Sequence, residues 1–503
     1  MMAVPSAAGR GSVGPTAHRV TSVTAARKDL EEALGKDAVL SDPLALRLYA
    51  RDASMLEGRC ALVAIPSTRE QVATCVRIAR RYGLDVVPRG AGTGLAGGST
   101  PLPGSLVIVT TRLDRILEVR PEDRLAWVEP GVLNLDLKRC LAPLGFTFAP
   151  DPASEQSSTV GGNVATNAGG PHCLAYGVTA NHVFAVELVL ADGTVERFGG
   201  EAPESGGYAL RGIIIGSEGT VGIITAVCVR LTALPEAVQV LMIGFATVDA
   251  AAAVVSELIA SGLTPAAVEL MDRAIVRVIE DFVHAGYPVD AEAVLLVELD
   301  GMPGGVDRQR RAVERIARDH GATVIQAASD PAHRARLWKG RKSAHGAITR
   351  IAPDFLQYDV VVPRTRLVEA LAAVRVVARE EGLVIAHIIH AGDGNLHPLI
   401  MYDRRTPGSL DRVLAAGERI VRACLEMGGS ISGEHGIGLE KRDFMSLMYS
   451  AADLDLNDDV RAAFDPMRTM NPGKIVSDVG RPHGRAAADA SGLRADEGEP
   501  WTR

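Results

Sequence analysis

The chain has 503 residues, of which 47% are apolar and 23% charged, a composition that supports a folded protein of two or three domains. Its formal net charge of -8 at pH 7 offers no basic surface for nucleic acid, so nucleic-acid binding is not expected. The six cysteines are scattered without a CxxC pair, which predicts reduced thiols and a cytoplasmic protein. No apolar run approaches the ~18 residues of a transmembrane helix, and residues 1–20 lack the apolar core of a signal peptide.

The first half of the chain is predicted to be α+β. Residues 1–20, rich in Gly, Ser, Ala and Pro, are expected to be a disordered tail. The first predicted helix begins at Ser67, where Glu70 completes a capping box, and ends at Gly83. Strands are predicted over residues 84–87, 105–110 and 125–128, and a hairpin over residues 184–198 turns at Asp192 and Gly193.

A first glycine-rich segment follows the strand that ends at Val87. It reads PRGAGTGLAGGS over residues 88–99, and its backbone N–H groups can approach a pyrophosphate closely because glycine has no Cβ. Gly92, Gly94 and Gly97 also match GxGxxG. A nicotinamide-binding Rossmann unit is not favoured, however, because that fingerprint must open a helix and prolines follow at 101 and 103. A tight turn without a ligand explains this one segment equally well.

Two more segments of small residues, also predicted to be loops, lie further along the chain. One runs from Ser157 to Gly170, and the other runs from Gly216 to Gly222, directly before a predicted strand. Both are rich in hydrogen-bond donors. Three such segments in one half of the chain favour the binding of an extended dinucleotide over three unrelated turns.

Beyond Pro235 the pattern changes to longer units. A strand over residues 238–245 is followed by a helix over 249–261, a strand over 294–299 and a helix over 306–320, which predicts a second α+β domain. Residues 479–503 are polar and lack periodicity, so a second disordered tail is expected there. No internal repeat supports a solenoid or a propeller.

Two segments of the second half carry histidines. A short apolar strand leads to His390, a Gly-Asp-Gly-Asn turn follows, and His397 opens the next apolar run, so a hairpin would hold both imidazoles within reach of one ion. Glu434 and His435 are flanked by glycines in residues 431–438. Two histidines and a carboxylate with an open position are typical of a catalytic metal site, commonly zinc. Taken singly, each histidine is more often a hydrogen-bonded core or surface residue.

These motifs resemble signatures of a flavoprotein superfamily. PRGAGTGLAGGS, TVGGNVATNAGG, GSEGTVGIIT, HAGDGNLHP and SGEHGIG are similar to motifs of the D-lactate dehydrogenase and glycolate oxidase branch of the vanillyl-alcohol oxidase and p-cresol methylhydroxylase superfamily. Over residues 385–475 the chain is especially similar to the FAD-linked glycolate oxidase subunits. The resemblance implies an α+β fold with a two-subdomain FAD-binding domain of the p-cresol methylhydroxylase type. It also implies an α+β substrate domain, or cap, with a ferredoxin-like sheet.

The resemblance, with the change of pattern near Pro235, predicts the domain organisation. We expect the FAD-binding domain over residues 21–235, the substrate and metal domain over 236–450, and a C-terminal return to the FAD domain over 451–478. The first glycine-rich segment has no histidine, the residue through which many members attach the flavin, so noncovalent FAD is expected. The residues that the resemblance implies for FAD binding are Pro88, Arg89, Gly90, Ala91, Gly92, Thr93, Gly94, Gly98, Ser99, Pro150, Gly161, Gly162, Asn163, Thr166, Glu218, Gly222, Ile223 and Asn471.

The same resemblance implies roles in the second half. His390, His397 and Glu434 match the ligands of a divalent metal, expected to be zinc, and His435 matches the general base. Asn395 matches a substrate contact and Arg341 the arginine that binds the substrate carboxylate. A divalent ion would lower the pKa of a 2-hydroxy acid alcohol, His435 would accept the proton, and flavin N5 would accept the hydride.

The expected activity is therefore the FAD-dependent oxidation of a small 2-hydroxy acid such as glycolate or D-lactate. Related 2-hydroxyglutarate dehydrogenases carry a lysine where Gln357 stands, which favours a monocarboxylate here. Three alternatives stay open: a D-2-hydroxyglutarate dehydrogenase, a noncatalytic FAD subunit of an electron-transfer complex, and a zinc hydrolase. The electron acceptor is not specified by the sequence. Partner redox subunits are one candidate, and through them the protein would be peripheral to the membrane.

Overall fold

The structure, a computed structural model, describes residues 15–202 and 206–476. The predicted tail over residues 479–503 and the first 14 residues of the predicted N-terminal tail lie outside the described residues. Residues 15–20 belong to the first helix, so the prediction of a disordered tail is wrong for them. In the described parts of the chain, none of the helices is long and apolar enough to span a membrane.

The first half combines short helices with many strands. Its helices are α1 Pro15–Leu34, α2 Pro43–Arg47, α3 Arg69–Tyr82, α4 Asn134–Leu141, α5 Val160–Thr166, α6 Cys173–Tyr176 and α7 Leu210–Ile214. Its strands are β1 Val39–Leu40, β2 Cys60–Ala64, β3 Val86–Arg89, β4 Ser105–Val109, β5 Ile116–Arg120, β6 Leu125–Val128, β7 Phe146–Thr147, β8 Val183–Val189, β9 Val195–Gly199, β10 Ile223–Arg230 and β11 Thr232–Ala233.

The strands of the first half form three sheets. A four-stranded sheet has the order β1-β2-β4-β3, a five-stranded sheet has the order β5-β6-β10-β8-β9, and β7 pairs with β11. The strands predicted over 105–110 and 125–128 and the hairpin that turns at Asp192 and Gly193 are confirmed as β4, β6 and the β8–β9 pair. Helices α1 and α3 cover the four-stranded sheet with a shared apolar core.

Helix α3 confirms the helix predicted before Gly83, but its first turn is capped differently. Thr68 is the N-cap, because its hydroxyl accepts a hydrogen bond from the Gln71 N–H at 3.2 Å. Ser67 lies one residue too early and donates instead to the Gln71 side chain. Gly83 ends the helix in the left-handed conformation, as predicted.

The second half is built around one large sheet. Its helices are α8 Val248–Ala260, α9 Arg273–Val283, α10 Pro303–Asp319, α11 Pro331–Lys342, α12 Ala344–Ala347, α13 Leu367–Glu381, α14 Ser409–Glu426, α15 Met445–Met448 and α16 Ala451–Phe464. Its strands are β12 Ala237–Phe245, β13 Ala267–Asp272, β14 Ala293–Gly301, β15 Ala322–Ala327, β16 Asp354–Gln357, β17 Val360–Val361, β18 Ile385–His390 and β19 Asn395–Tyr402. The strands and helices predicted between residues 238 and 320 are confirmed.

The large sheet has the order β15-β12-β14-β13-β18-β19-β16, and β17 pairs with β19. The four strands that come first in the chain, β12 to β15, are antiparallel to their neighbours in the sheet. Numbered by chain order, they lie side by side as 4-1-3-2, which is the ferredoxin-like arrangement that was expected. Strands β18 and β19 confirm the predicted hairpin, and β13 lies directly beside it. This sheet therefore brings residues from β13, β18 and β19 together.

The end of the described chain returns to the four-stranded sheet of the first half. The Val86 N–H donates to the Thr469 carbonyl at 2.8 Å, and the Asn471 N–H donates to the Val86 carbonyl at 2.7 Å. The buried Lys474 ammonium donates to the Thr100 carbonyl at 2.7 Å. Residues 469–474 thus extend the edge of β3 and pack against the segment that follows it.

Candidate active site

A single cavity of about 740 Å³ is lined by residues from both halves of the chain. From the first half come the three segments of small residues, and from the second half come Arg341, the two predicted histidine ligands, Glu434 and His435. Three predicted site residues do not line it: Pro150, Asn395 and Asn471. The structure thus brings together residues that the sequence places more than 300 positions apart.

The first segment of small residues lies directly on the second. A Cβ added to Gly90 would lie 2.4 Å from the Thr159 hydroxyl, so only glycine fits there without a shift. The second segment was interpreted as a loop, but residues 160–166 form helix α5, which Thr159 caps through the Gly162 N–H. Residues 90–104 contain no helix, in agreement with the rejection of a Rossmann fingerprint.

The cavity fits the extended dinucleotide that was expected. Its walls in the first half are mostly backbone and small side chains, which permit close approach of a long ligand. The described residues of the first half that line it include no histidine, cysteine or tyrosine that would attach a flavin covalently. Asn471 completes the wall from behind, since its side-chain amide donates to the carbonyls of Gly98 and Glu218 at 2.8 and 2.6 Å.

Two histidines and a glutamate meet at one end of the cavity. His390 Nε2 lies 3.0 Å from Glu434 Oε1, and His397 Nε2 lies 3.5 Å from the same oxygen. Ligands of one zinc ion, each at about 2.0–2.2 Å from the metal, are separated by similar distances. Both ring nitrogens of the buried His397 lack a hydrogen-bond partner. These ligand atoms therefore fit a divalent ion, which would satisfy His397 Nε2, the ring nitrogen that faces Glu434.

The protonation of this group depends on buried carboxylates. Burial alone would lower the pKa of His390, but Glu269 and Glu434 outweigh it and raise the pKa to about 10. Burial would raise the pKa of Glu434, but the histidines lower it to about 2. A cation is thus favoured between His390 and Glu434, and a metal ion can supply the positive charge that the proton supplies otherwise.

His435 directly follows Glu434 in the chain and lies beside the metal-ligand group. Its Nε2 is 3.9 Å from Glu434 Oε1, and its ring is 5.0 Å from that of His397 between centroids. Burial lowers the pKa of His435 to about 4, although Asp359 opposes the shift. The imidazole is therefore neutral near pH 7, which is the state that a proton acceptor requires.

Asp359, which the sequence interpretation missed, organises the segment that carries Glu434 and His435. Its fully buried Oδ2 accepts from the N–H groups of Gly433, Glu434 and His435 at 3.0, 3.1 and 2.9 Å. The Lys441 ammonium donates to the same oxygen at 2.8 Å. Burial would raise the pKa of Asp359, but Lys441 and His435 hold it well below its usual range. The segment is thus wrapped around one ionised carboxylate.

Asp359 also faces the metal-ligand group with its other oxygen. Oδ1 has no hydrogen-bond partner and lies 3.4 Å from His397 Nε2, so Asp359, His397 and His435 form a second group of potential ligands. The signal in the sequence was a charged residue inside the apolar stretch Tyr-Asp-Val-Val-Val. A carboxylate placed there must be paired when it is buried.

Arg341 lies in the last turn of α11, just before α12. Its guanidinium is buried, and Nη2 lies 2.5 Å from Glu269 Oε2, while Nε has no hydrogen-bond partner. It therefore keeps donor capacity for a ligand in the cavity. Glu269 was also missed, although a glutamate inside the buried strand Ala-Val-Glu-Leu-Met is the same kind of signal.

His345 and Gln357 form a neutral wall near Arg341. His345 Nε2 lies 2.7 Å from Gln357 Oε1, and the Gln357 amide nitrogen is buried without a partner. Burial, reinforced by the Arg341 charge, lowers the pKa of His345 to about 3. This wall offers polar atoms without a charge. His345 was not singled out from the sequence, since nothing in its neighbourhood marks it.

Two side chains of the first half tie the second half to the cavity. The carboxylate of Glu218 accepts from the N–H groups of Ile437 and Gly438 at 2.6 and 2.8 Å. Burial raises the pKa of Glu218 to about 7, and these two donors oppose the shift. His172 lies between Asp151 of the first half and Glu298 of β14, at 2.7 and 3.0 Å. The two walls of the cavity are therefore joined by polar contacts.

His387 and Asn395 lie behind the site. His387 is a buried strand histidine whose Nδ1 is 3.0 Å from Asp272 Oδ2. Asn395 lies under the segment that carries Glu434, because a Cβ added to Gly433 would meet the Asn395 amide nitrogen at 2.4 Å. Asn395 Oδ1 has no hydrogen-bond partner.

Comparisons with known proteins match both halves. Residues 60–199 match the family described as FAD binding domain, and residues 234–475 match FAD linked oxidases, C-terminal domain. The glycolate oxidase subunit GlcD of Escherichia coli K12 is 42% identical over 85% of this chain and 86% of its own length. A D-lactate dehydrogenase of Anaerostipes hadrus is 33% identical over 82% of this chain and 89% of its own.

Solved structures agree at the level of the fold. A p-cresol methylhydroxylase crystal structure superposes with a TM-score of 0.77 at 19% identity, covering 91% of this chain and 97% of that one. An alkyldihydroxyacetonephosphate synthase superposes with a TM-score of 0.70 at 19% identity, covering 89% of this chain and 85% of that one. The expected α+β fold of the p-cresol methylhydroxylase type is thereby confirmed.

Proposed function

The chain belongs to the FAD-linked oxidase family that contains glycolate oxidase subunits and D-lactate dehydrogenases, and on this basis we propose a specific reaction. It is an FAD-dependent oxidoreductase that converts a small 2-hydroxy acid, glycolate or D-lactate, to the 2-oxo acid. The observation that carries the proposal is the position of His435, beside His390, His397 and Glu434 and in the same cavity as the FAD-binding segments.

The residues divide the chemistry among them. Arg341 donates to the substrate carboxylate and fixes its orientation. His435, neutral near pH 7, takes the proton of the substrate hydroxyl. His390, His397 and Glu434 would hold a divalent ion, expected to be zinc, which would act as a Lewis acid toward the alcohol. Noncovalently bound FAD would supply the acceptor for the hydride.

The charges around the site favour a monocarboxylate. A divalent ion and Arg341 carry three positive charges, and Glu269 and Glu434 carry two negative ones, which leaves one positive charge for the substrate. The wall formed by His345 and Gln357 is neutral and has no cation for a second carboxylate. Arg404, which also lines the cavity, is paired with Asp354 at 2.7 Å. D-2-hydroxyglutarate is therefore the weaker candidate.

Electrons must leave the protein through an external acceptor. Among the described residues that form potential metal-binding groups there is no cysteine, so an iron–sulfur relay within the chain is not supported. Relatives of this chain are named as subunits of glycolate oxidase. We therefore include partner redox subunits among the acceptors to be tested.

An anaerobic absorbance titration tests the proposed function. The purified protein is titrated with glycolate, D-lactate, L-lactate and D-2-hydroxyglutarate, before and after treatment with a chelator. Bleaching of the oxidised flavin by glycolate or D-lactate, lost after chelation and restored by Zn²⁺, is the expected result. A colourless protein would contradict FAD binding and would favour the alternative of a zinc hydrolase. A yellow protein that none of the four acids reduces would leave the noncatalytic flavin subunit as the better interpretation.

A further inference from the structure

Glu269 occupies a position between two functional parts of the site. It lies on β13, in register with His390 on the neighbouring strand β18, and its side chain is fully buried. One carboxylate oxygen, Oε1, is 2.7 Å from His390 Nδ1, and the other, Oε2, is 2.5 Å from Arg341 Nη2. Oε1 is thus hydrogen-bonded to His390, whereas Oε2 has no hydrogen-bond partner and forms an ion pair with Arg341.

We infer that Glu269 is a positioning residue that orients His390 toward the metal ion and Arg341 toward the substrate carboxylate. The inference rests on the proposed function and extends it to a residue outside the cavity wall. Because one carboxylate holds both side chains, it also fixes the distance between the metal subsite and the carboxylate subsite.

The contact with His390 determines which ring nitrogen is available. A histidine that donates its Nδ1–H to a carboxylate presents the lone pair of Nε2, and such partners orient metal-binding histidines in many proteins. His390 Nε2 points to Glu434, the other member of the ligand group. Without Glu269, the ring would lose both its preferred tautomer and its orientation.

The contact with Arg341 explains how a buried guanidinium faces the cavity. The side chain of Arg341 is 4% exposed and that of Glu269 is 0% exposed, so each charge requires the other. The pairing uses Nη2 and leaves Nε without a partner. The remaining donors are therefore held in one orientation for an incoming carboxylate.

A matched control exists on the same two strands. Asp272 of β13 contacts His387 of β18, with 3.0 Å between Asp272 Oδ2 and His387 Nδ1. The pair has the same chemistry as Glu269 and His390, but neither Asp272 nor His387 lines the cavity. Asp272→Asn removes a buried carboxylate from a strand histidine without touching the proposed ligands, and asparagine still caps α9.

The test variant is Glu269→Gln. A carboxamide has one oxygen and one NH₂ group, so it cannot accept from both His390 and Arg341. We expect the chelator-treated variant to bind Zn²⁺ about 10–100-fold more weakly than the treated parent, measured by competition with a chromogenic chelator. We also expect KM for the reducing 2-hydroxy acid to rise in Zn²⁺-saturated protein. FAD content should equal that of the parent, and Asp272→Asn should behave as the parent in all three measurements.

The outcomes separate this inference from the proposed function. Parent-like Zn²⁺ affinity and KM in Glu269→Gln would overturn the inference and leave the proposed function intact. A parent that binds no Zn²⁺ in a His390-dependent manner would overturn both the metal in the proposed function and the role of Glu269 toward His390. If the Glu269→Gln variant loses its FAD, Glu269→Asp serves as the test variant instead. This variant keeps the charge for Arg341 but is one methylene shorter, and it should also weaken Zn²⁺ binding; unchanged binding would overturn the inference.

Discussion

His435 Nδ1 lies 3.8 Å from Asp359 Oδ2, the oxygen that also accepts the backbone N–H of His435 at 2.9 Å. The carboxylate thus fixes the backbone of the proposed base by a hydrogen bond, and the ring lies near the same oxygen without a hydrogen bond to it. Its position does not depend on the metal-ligand contacts of His390. The base and the metal site are therefore expected to be separable by mutation.

His435→Ala should abolish reduction of the flavin by substrate while FAD and metal stay bound. Loss of a general base costs about 10²–10⁴-fold in rate. The measurement is anaerobic stopped-flow absorbance, with FAD and metal content determined on the same sample. His387→Ala, which removes a buried histidine that does not line the cavity, is the control. Normal flavin reduction in His435→Ala would exclude His435 as the base.

Gln357→Lys should shift substrate preference toward a dicarboxylate. The Gln357 side chain contacts neutral His345, and a lysine there would add a cation to a wall of the cavity that has none. We expect kcat/KM for D-2-hydroxyglutarate to rise relative to that for glycolate, by about tenfold if the new ion pair contributes about 1.4 kcal/mol. Gln357→Met, which adds no charge, is the matched control. An unchanged ratio would argue against a carboxylate subsite at this wall.

Gly90→Ala should lower the FAD content of the purified protein. The new Cβ would lie 2.4 Å from the Thr159 hydroxyl oxygen but 3.7 Å from Thr159 Cβ. The clash is therefore with the hydroxyl, and adding Thr159→Ala to the Gly90→Ala variant should restore part of the FAD content. Recovery should be incomplete, because the loss of the α5 cap costs about 1 kcal/mol of stability. FAD is measured as the ratio of flavin to protein absorbance. Gly212→Ala, where an added Cβ meets nothing within 4 Å, serves as control.

His172→Gln should destabilise the protein in a pH-dependent manner. Burial alone would lower the pKa of His172, but Asp151 and Glu298 outweigh it and raise the pKa well above 6.5. A raised pKa stabilises the folded state fully below the unfolded value of about 6.5, and this contribution is lost as the pH rises through the folded pKa. The free energy of unfolding that the variant loses is thus largest at acidic pH, at about 3–5 kcal/mol for a buried pair that loses its cation.

The measurement for His172→Gln is urea unfolding at about pH 6 and about pH 9, on either side of the unfolded pKa. The other charged groups near the pair are Lys138 and Lys342, which act on Asp151 and remain in the variant. His320→Gln, at the end of α10, is the control. An equal loss of stability at both pH values would show that His172 is not charged in the folded protein.

The sequence predicted the parts of the site that are local in the chain. His390 and His397 are seven residues apart on one hairpin, so the alternation of apolar residues around a glycine turn was enough to place them together. The first and second segments of small residues were also found locally, from their content of glycine and other small residues. Residues that act across the fold were not found. Glu269 is 121 positions from His390, and their contact depends on the pairing of β13 with β18, which a single sequence does not specify.

Helix boundaries near functional residues were less well predicted than strands. Ser67 and Thr68 are both good N-cap residues, and local sequence does not distinguish them, so the cap was assigned one position early. Residues 160–166 contain two glycines and were interpreted as a loop, but the Thr159 cap and packing against Pro130 hold them in helix α5. Tertiary contacts thus override the weak intrinsic preference of such a segment.

The contacts of residues 469–474 with β3 also have a consequence for synthesis. Asn471 donates to the carbonyls of Gly98 and Glu218, and Lys474 donates to that of Thr100, so residues near the end of the described chain support one wall of the cofactor cavity from behind. A nascent chain that has not yet been extended to residue 469 lacks this support, even after the first half has emerged. Stable loading of the cofactor is therefore expected only after residues 469–474 have been synthesised and have docked on the first half. A chain truncated before Asn471 should accumulate without bound flavin.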